Sequence, residues 1–329
     1  MKKIMMITMG GTISARGMDR LDLKDYQSGL LTGEDFIESY PELKTLAEID
    51  VEQLDNISST RINATHWVTL RRKVEGYLNK KGYDGVVITH GTNTLEETAY
   101  FLHLTVRSEK PIVFVGAQRP FFSISSDAPL NLMNAIRVAI DPFSYGKGVL
   151  VVANDEINGA REVTKTDTYR LETFQSGKLG FLGFVDPDKT VQYYREPTRK
   201  HTIHSQFSQL KLEQLPNVEI VYSYAGASGE LIRHITTCGK YAGIVIAGTG
   251  AGRCSAEEEE ALLEAVDSGL FVVRSSRVGS GRVVDIDHYK KLHAISADNL
   301  LPQKARILLM LSLLVYQNVE DIQRIFNEY

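Results

Sequence analysis

The sequence predicts an α/β protein. A large N-terminal domain has a mainly parallel sheet flanked by helices, and a smaller C-terminal α/β domain also carries a parallel sheet. Three observations lead there. Short β-branched runs alternate with segments of helical periodicity, the pattern of strand–helix–strand units. The alternation breaks between about residues 186 and 215, where polar chain with prolines intervenes, and then resumes. A length of 329 residues suits two domains or one large α/β unit.

Taken in order, "KIMMITM" (3–9), "DGVVIT" (84–89), "PIVFV" (111–115) and "GVLVVAN" (147–153) are short apolar runs that read as buried strands. Between them, "ATHWVTLRRKVEGYLNKK", "TLEETAYFLHLTV" and "DAPLNLMNAIRVAI" carry apolar residues at helical spacing, and Asn63 is placed to cap the first. The stretch around 186–215 reads as a late hairpin followed by a linker. "VEIVYSY" (218–224), "YAGIVIAG" (241–248) and "LFVVRSS" then read as strands, "SAEEEEALLEAVDSG" as a helix capped by Ser255, and "PQKARILLMLSLLVYQ" as a helix with Pro302 in its first turn. The domains are therefore expected at 1–195 and 216–329, joined by a linker at 196–215.

Composition narrows the function classes. With 43% hydrophobic and 24% charged residues the chain has the balance of an ordinary globular protein. A net charge of −4 supplies no basic field for nucleic acid. The two cysteines, Cys238 and Cys254, argue against a disulfide framework or a zinc site. The N-terminal apolar run is shorter than a secretory core segment, and "ARILLMLSLLV" is too short for a bilayer. A cytoplasmic protein without a membrane partner is expected.

In open parallel sheets, sites form beyond the carboxyl ends of the strands. Three such ends are rich in hydroxyls: "TMGGTISA" with Thr12, "NISSTRI" with Ser58, Ser59 and Thr60, and "THGTNT" with Thr92 and Thr94. Collected at one sheet edge, they suggest a nucleophile and hydrogen-bond donors for a small polar substrate. Any one of these turns alone reads better as an ordinary Ser/Thr turn. "GTGAGR" (248–253) lacks the full dinucleotide spacing and reads as a close-packed turn, and His201 and His204 in "HTIH" read as surface residues. No GxSxG elbow occurs. In "REVTKTDTY", Lys165 lies among hydroxyls that could accompany a lowered pKa, although spacing alone favours an exposed lysine on an edge strand.

Together these segments resemble the bacterial L-asparaginase/glutaminase family, its type II branch in particular. The resemblance runs through "TMGGTIS" (8–14), "DYQSGLLTGEDFIESYPELKTLAEIDVEQLDNISS" (25–59), "VVITHGTNTLEETAYFLHLTV" (86–106), "VGAQRP" (115–120), "SSDAPLNL" (125–132), "AREVTKTDT" (160–168), "VVRSSRVGSG" (272–281) and "LPQKARILL" (301–309). It implies hydrolysis of a side-chain amide without metal or organic cofactor. It also implies a homotetramer of intimate dimers, in which a neighbour's C-terminal domain completes each site. By the same resemblance Thr12 is the nucleophile, Tyr26 its hydrogen-bond partner, and Thr92 and Lys165 the second catalytic pair. Ser59 grips the substrate carboxylate, while Gly11, Gly91 and Ala117 frame the amide with backbone groups.

The chain departs from the family at the substrate's amino group. Asn93 stands where the family has an aspartate, Thr60 where it has Gln or an acid, and Ala251 where it has Asn. No glutamate follows Arg277 in "GSGRVVDIDHYKK", where Asp285 or Asp287 could substitute. Three expectations follow: an asparaginase with a rebuilt amino-group site, an amidase for a carboxylate-bearing amide lacking the α-ammonium, or a binding or regulatory homologue with a weak site.

Overall fold

The structure, a computed structural model, describes residues 1–329, which divide into two compact units, Met1–Lys211 and Leu212–Tyr329. The first unit is built on β1 (Lys3–Thr8), β2 (Glu48–Gln53), β3 (Gly85–Thr89), β4 (Ile112–Val115) and β5 (Val149–Ala153), all parallel to their neighbours. β6 (Glu156–Gly159) turns back antiparallel to β5. The turn is made by Asn154 and Asp155 at φ 54 and 63, the left-handed pair of a tight hairpin. β7 (Thr164–Lys165) and β8 (Phe174–Gln175) form a separate two-stranded ribbon. The expected late hairpin is β9 (Gly183–Val185) with β10 (Val191–Tyr193), and the full order is β10-β9-β6-β5-β4-β3-β1-β2.

Sequence explains this placement. β1, β3, β4 and β5 are nearly continuous buried apolar runs, as a parallel sheet covered on both faces requires. β2 is polar and partly exposed, as an edge strand must be to resist pairing with another chain. The helices are α1 (Gly33–Ser39), α2 (Leu43–Leu46), α3 (Ala64–Glu75), α4 (Leu95–Thr105) and α5 (Ala128–Ile140). Asn63 accepts from the Thr65 and His66 amides, and the His66 ring returns to the Asn63 backbone, so α3 starts with a reciprocal cap. On one sheet face Leu132, Ala135, Ile136 and Ala139 of α5 join Ile4, Met6, Val87, Val113, Val115 and Leu150 in a single core. Truncating Leu132 to Ala there costs about 2–5 kcal/mol.

Residues 202–209, inside the stretch expected as a linker, form two short 3-10 turns. The buried Arg71 guanidinium donates to the carbonyls of Thr105, Ser208 and Leu210 and ties this segment to α4. His201, expected at the surface, is buried with its ring 4.9 Å from that of His103, while His204 is exposed.

The second unit has one parallel sheet in chain order: β11 (Val218–Tyr222), β12 (Gly243–Gly248), β13 (Phe271–Ser276) and β14 (Ile295–Ser296). Its helices are α6 (Glu230–Thr237), α7 (Ala256–Asp267), α8 (Pro302–Ser312) and α9 (Val319–Glu328). Ser255 caps α7 reciprocally with Glu258, and Pro302 opens α8. Cys238 and Cys254 are free thiols. No helix of either unit is long and apolar enough to cross a membrane.

Candidate active site

The first sheet reverses its direction of growth at β1, with β2 on one side and β3 on the other. That switch point is where a parallel sheet opens a crevice at the carboxyl ends of its strands. A cavity of about 310 Å³ lies there. Two glycines let its walls approach. Gly11, at φ 86, packs its Cα against Gly91 so closely that a Cβ on Gly11 would lie 2.1 Å from the Gly91 Cα. A Cβ on Gly91 would lie 2.7 Å from Ser59 Oγ. The ends of β1, β2 and β3 thus meet within a few ångströms, and each contributes one hydroxyl: Thr12, Ser59 and Thr92.

Each hydroxyl has a different environment. Thr12 Oγ1 is 3.0 Å from the Tyr26 hydroxyl. Tyr26 comes from the loop following β1. Paired backbone hydrogen bonds between Arg16 and Gln27 close that loop, and the Asn56 amide donates to the Gly29 carbonyl over 2.7 Å. Thr92 Oγ1 accepts from Lys165 Nζ over 2.7 Å, and the same ammonium donates to Gln118 Oε1 over 3.0 Å. Ser59 Oγ is buried and has no hydrogen-bond partner in the protein. An unpartnered buried hydroxyl on a cavity wall is poised for a ligand atom.

Lys165 is half-buried rather than exposed on an edge. β7 is only two residues long, and the Glu96 carboxylate in the first turn of α4 accepts the Lys165 backbone N–H over 2.6 Å. Burial pulls the Lys165 pKa below the ordinary lysine value, and the charges of Asp167 and Glu96 oppose that shift. The two groups touching Nζ are a hydroxyl and a carboxamide, neither of which carries charge to hold the proton. Gln118 is itself fixed, its side-chain amide donating to the Thr168 and Arg170 carbonyls. Its backbone N–H donates to the half-buried Asp127 carboxylate, whose pKa is raised by desolvation.

Gly11, Thr12, Tyr26, Ser59, Gly91, Thr92, Asn93 and Lys165 all line the cavity. Thr60 and Ala117 do not: Thr60 is exposed with its hydroxyl bonded to Ser58, and Ala117 is buried just before Gln118. Asn93 is exposed at the rim, and Lys165 is the one charged side chain in the lining. In the second unit Ala251, Asp285 and Asp287 are exposed, and Asp287 pairs with Lys290 over 2.6 Å. The wall also holds Ser28, Gln118, Thr168 and Tyr169, to which strand-end spacing alone gives no role. Of these, Gln118 carries a sequence signal, because it follows a strand end in "VGAQRP". No group of three or more His, Cys, Asp or Glu residues is placed to hold a metal ion.

Family models agree with this architecture over both units. The asparaginase N-terminal model matches residues 3–199, and the glutaminase/asparaginase C-terminal domain model matches residues 217–326. L-asparaginase 2 of Bacillus subtilis is 42% identical over 326 residues, covering 99% of this chain and 86% of its own. L-asparaginase 2 of Escherichia coli is 43% identical over 329 residues, covering 99% and 93%. A solved structure, a probable cytoplasmic L-asparaginase from Campylobacter jejuni, superposes with a TM-score of 0.96 at 39% identity over 100% of both chains. With both halves matched and full-length relatives at these identities, the chain belongs to the asparaginase/glutaminase family.

Proposed function

We propose that the protein is an L-asparaginase, hydrolysing the side-chain amide of L-asparagine to L-aspartate and ammonia. One observation carries the reading: a Thr12–Tyr26 pair and a Thr92–Lys165 pair stand in the same small polar cavity. A threonine hydroxyl is a poor nucleophile until a neighbour relieves it of its proton. Here two threonines each have such a neighbour.

In the proposed reaction Thr12 Oγ1 attacks the amide carbon. Its proton leaves through the Tyr26 hydroxyl and ends on the departing nitrogen, so ammonia is released and an ester to Thr12 remains. Water then attacks the ester. Thr92 Oγ1 takes the water proton while its own passes to the neutral Lys165 amine, and the proton returns to Thr12 as the ester breaks. Ser59 Oγ receives the substrate carboxylate, and backbone N–H groups of the glycine-rich walls hold the oxyanion. The catalytic groups all belong to residues 1–195, and 216–329 forms the C-terminal domain joined through 196–215. The assembly is a homotetramer of intimate dimers in the cytoplasm, working without metal or organic cofactor. Similarity to the Campylobacter jejuni protein supports the location, although a 43% identical Haemophilus influenzae relative is a probable periplasmic L-asparaginase.

The test is ammonia and aspartate release from L-asparagine by the purified protein. Thr12→Ala should lower turnover by about 10³-fold or more, since the covalent route is lost. Absence of release from L-asparagine and related amides would sink the reading and leave a binding or regulatory role. Sedimentation of the same sample reports the tetramer.

Asn93 favours a second reading. Its neutral carboxamide lies at the rim of a cavity whose lining holds one cation and no carboxylate. A substrate carrying a carboxylate and an amide but no α-ammonium, such as succinamate, suits that lining. Comparing kcat/KM for L-asparagine and succinamate decides between the two.

A further inference from the structure

His90 directly follows β3 and is fully buried, outside the cavity wall. Its Nδ1 is 2.8 Å from the carbonyl oxygen of Gly91, and its Nε2 is 3.0 Å from Thr98 Oγ1. Thr98 Oγ1 in turn accepts from the Trp67 indole N–H over 3.0 Å. These contacts fix the ring's tautomer. A carbonyl can only accept, so the proton sits on Nδ1; Nε2 then presents a lone pair to the Thr98 hydroxyl, whose one proton it shares with the Thr94 carbonyl 3.3 Å away. Burial keeps the ring neutral, with its pKa pushed down to about 4. The result is a one-way chain of donors: Trp67 to Thr98, Thr98 to His90, His90 to Gly91.

The last link acts on the cavity. In a trans peptide the C=O and the following N–H point in opposite directions within one plane. The Gly91 carbonyl and the Thr92 N–H share such a plane. Holding the carbonyl toward the buried ring turns the N–H away from it, to the side where Gly91 and Thr92 line the cavity. The Thr92 N–H donates to no acceptor within the protein. Glycine at 91 leaves this peptide little intrinsic preference of its own, since a residue without Cβ rotates freely among backbone states.

We infer that His90 is a positioning residue that aims the Thr92 N–H into the cavity as a preset oxyanion donor. The inference rests on the amidohydrolase reading above. It assigns the histidine of "THGT" a defined task in catalysis although the ring meets neither substrate nor Thr12. A donor placed in advance matters most in the transition state, where charge gathers on the oxygen, so its loss falls on kcat rather than on KM.

The test compares three replacements in the full-length protein, each checked for unchanged sedimentation and melting. His90→Asn keeps an N–H where Nδ1 stood, His90→Gln moves it to where Nε2 stood, and His90→Leu removes it. His90→Leu and His90→Gln should lower kcat for L-asparagine by about 10²-fold with KM little changed, the scale of losing one oxyanion donor. His90→Asn should recover at least about tenfold of that loss. The Asn and Gln variants are both neutral amides in the same buried place, so a difference between them reports where the donor lies rather than whether the core is filled. Equal activity of the two, or a parallel rise in KM, would overturn the positioning role. If His90→Leu does not fold, the Asn–Gln pair decides alone. Inactive wild-type protein would instead overturn the amidohydrolase reading itself.

Discussion

Lys165 Nζ donates to Thr92 Oγ1 over 2.7 Å, and the pair joins residues 73 positions apart in the chain. Burial lowers the pKa of this lysine. Only its neutral amine can take a proton from Thr92, so activity should be lost as pH falls through the depressed Lys165 value. The acid limb of the kcat/KM profile should therefore lie below the ordinary lysine pKa. Lys165→Met should remove that limb and lower kcat/KM by about 10²–10⁴-fold, the range of a general base. Gln118→Glu should move the limb to higher pH, because a carboxylate 3.0 Å from the amine favours its charged form. A limb that stays in place in both variants would assign the ionisation elsewhere.

Ser59 gives a prediction of opposite sign for stability and binding. Its hydroxyl is buried and has no hydrogen-bond partner within the protein. Leaving such a group unsatisfied costs about 1–3 kcal/mol. Ser59→Ala should consequently melt at the same or a higher temperature than the parent. The same change should raise KM for L-asparagine by about tenfold or more, because the substrate carboxylate loses a charge-assisted hydrogen bond of about 1.5–3 kcal/mol. Calorimetry and steady-state kinetics on one preparation check both halves. A lower melting temperature with unchanged KM would make Ser59 a structural residue.

Much of this site is legible in the sequence because parallel sheets put their chemistry at strand ends. Buried runs such as "DGVVIT" mark where each strand stops, and Thr12, Ser59 and Thr92 follow from that. The rest depends on contacts that periodicity does not encode. Lys165 sits in a two-residue strand, too short to show which face it presents. Glu96 reads as a helix-terminus acid but also accepts the Lys165 backbone N–H, a contact 69 residues away. β6 has no apolar run of its own, and the Asn154-Asp155 pair is the only local sign of the turn leading to it. His90 lies in "THGTNT", where spacing alone gives it no role. Its role emerges only when Thr98 and Trp67, from different helices, are seen on its far side.

Gly11 is expected to be the least tolerant position of the cavity wall. Its φ of 86 is left-handed, and a Cβ there would lie 2.1 Å from the Gly91 Cα. Gly11→Ala must both strain the backbone, by about 1–3 kcal/mol, and push the β1 and β3 loops apart. Thr12 and Thr92 ride on those two loops. The variant should lose at least about 2 kcal/mol in denaturant unfolding and most of its turnover. By contrast, Gly82→Ala should cost only backbone strain, since no atom lies near its Cβ position. Equal losses at the two sites would mean that crowding at Gly11 is relieved by movement.

Asn93→Asp tests what the cavity recognises. Asn93 lines a wall on which Lys165 is the sole charged side chain. A carboxylate at this position would offer an α-ammonium a partner and would repel a second carboxylate. A charge pair at an exposed rim is worth up to about 1 kcal/mol and gains as the bound substrate covers it. The ratio of kcat/KM for L-asparagine to that for succinamate should thus rise by about tenfold in Asn93→Asp. Because the same carboxylate also favours protonated Lys165, the acid limb should move to higher pH, and the comparison must be made well above it. An unchanged ratio would show that the amino group is bound by residues other than position 93. A rise produced only by loss of succinamate turnover, with L-asparagine unaffected, would show that Asn93 serves to admit negative charge rather than to neglect the ammonium.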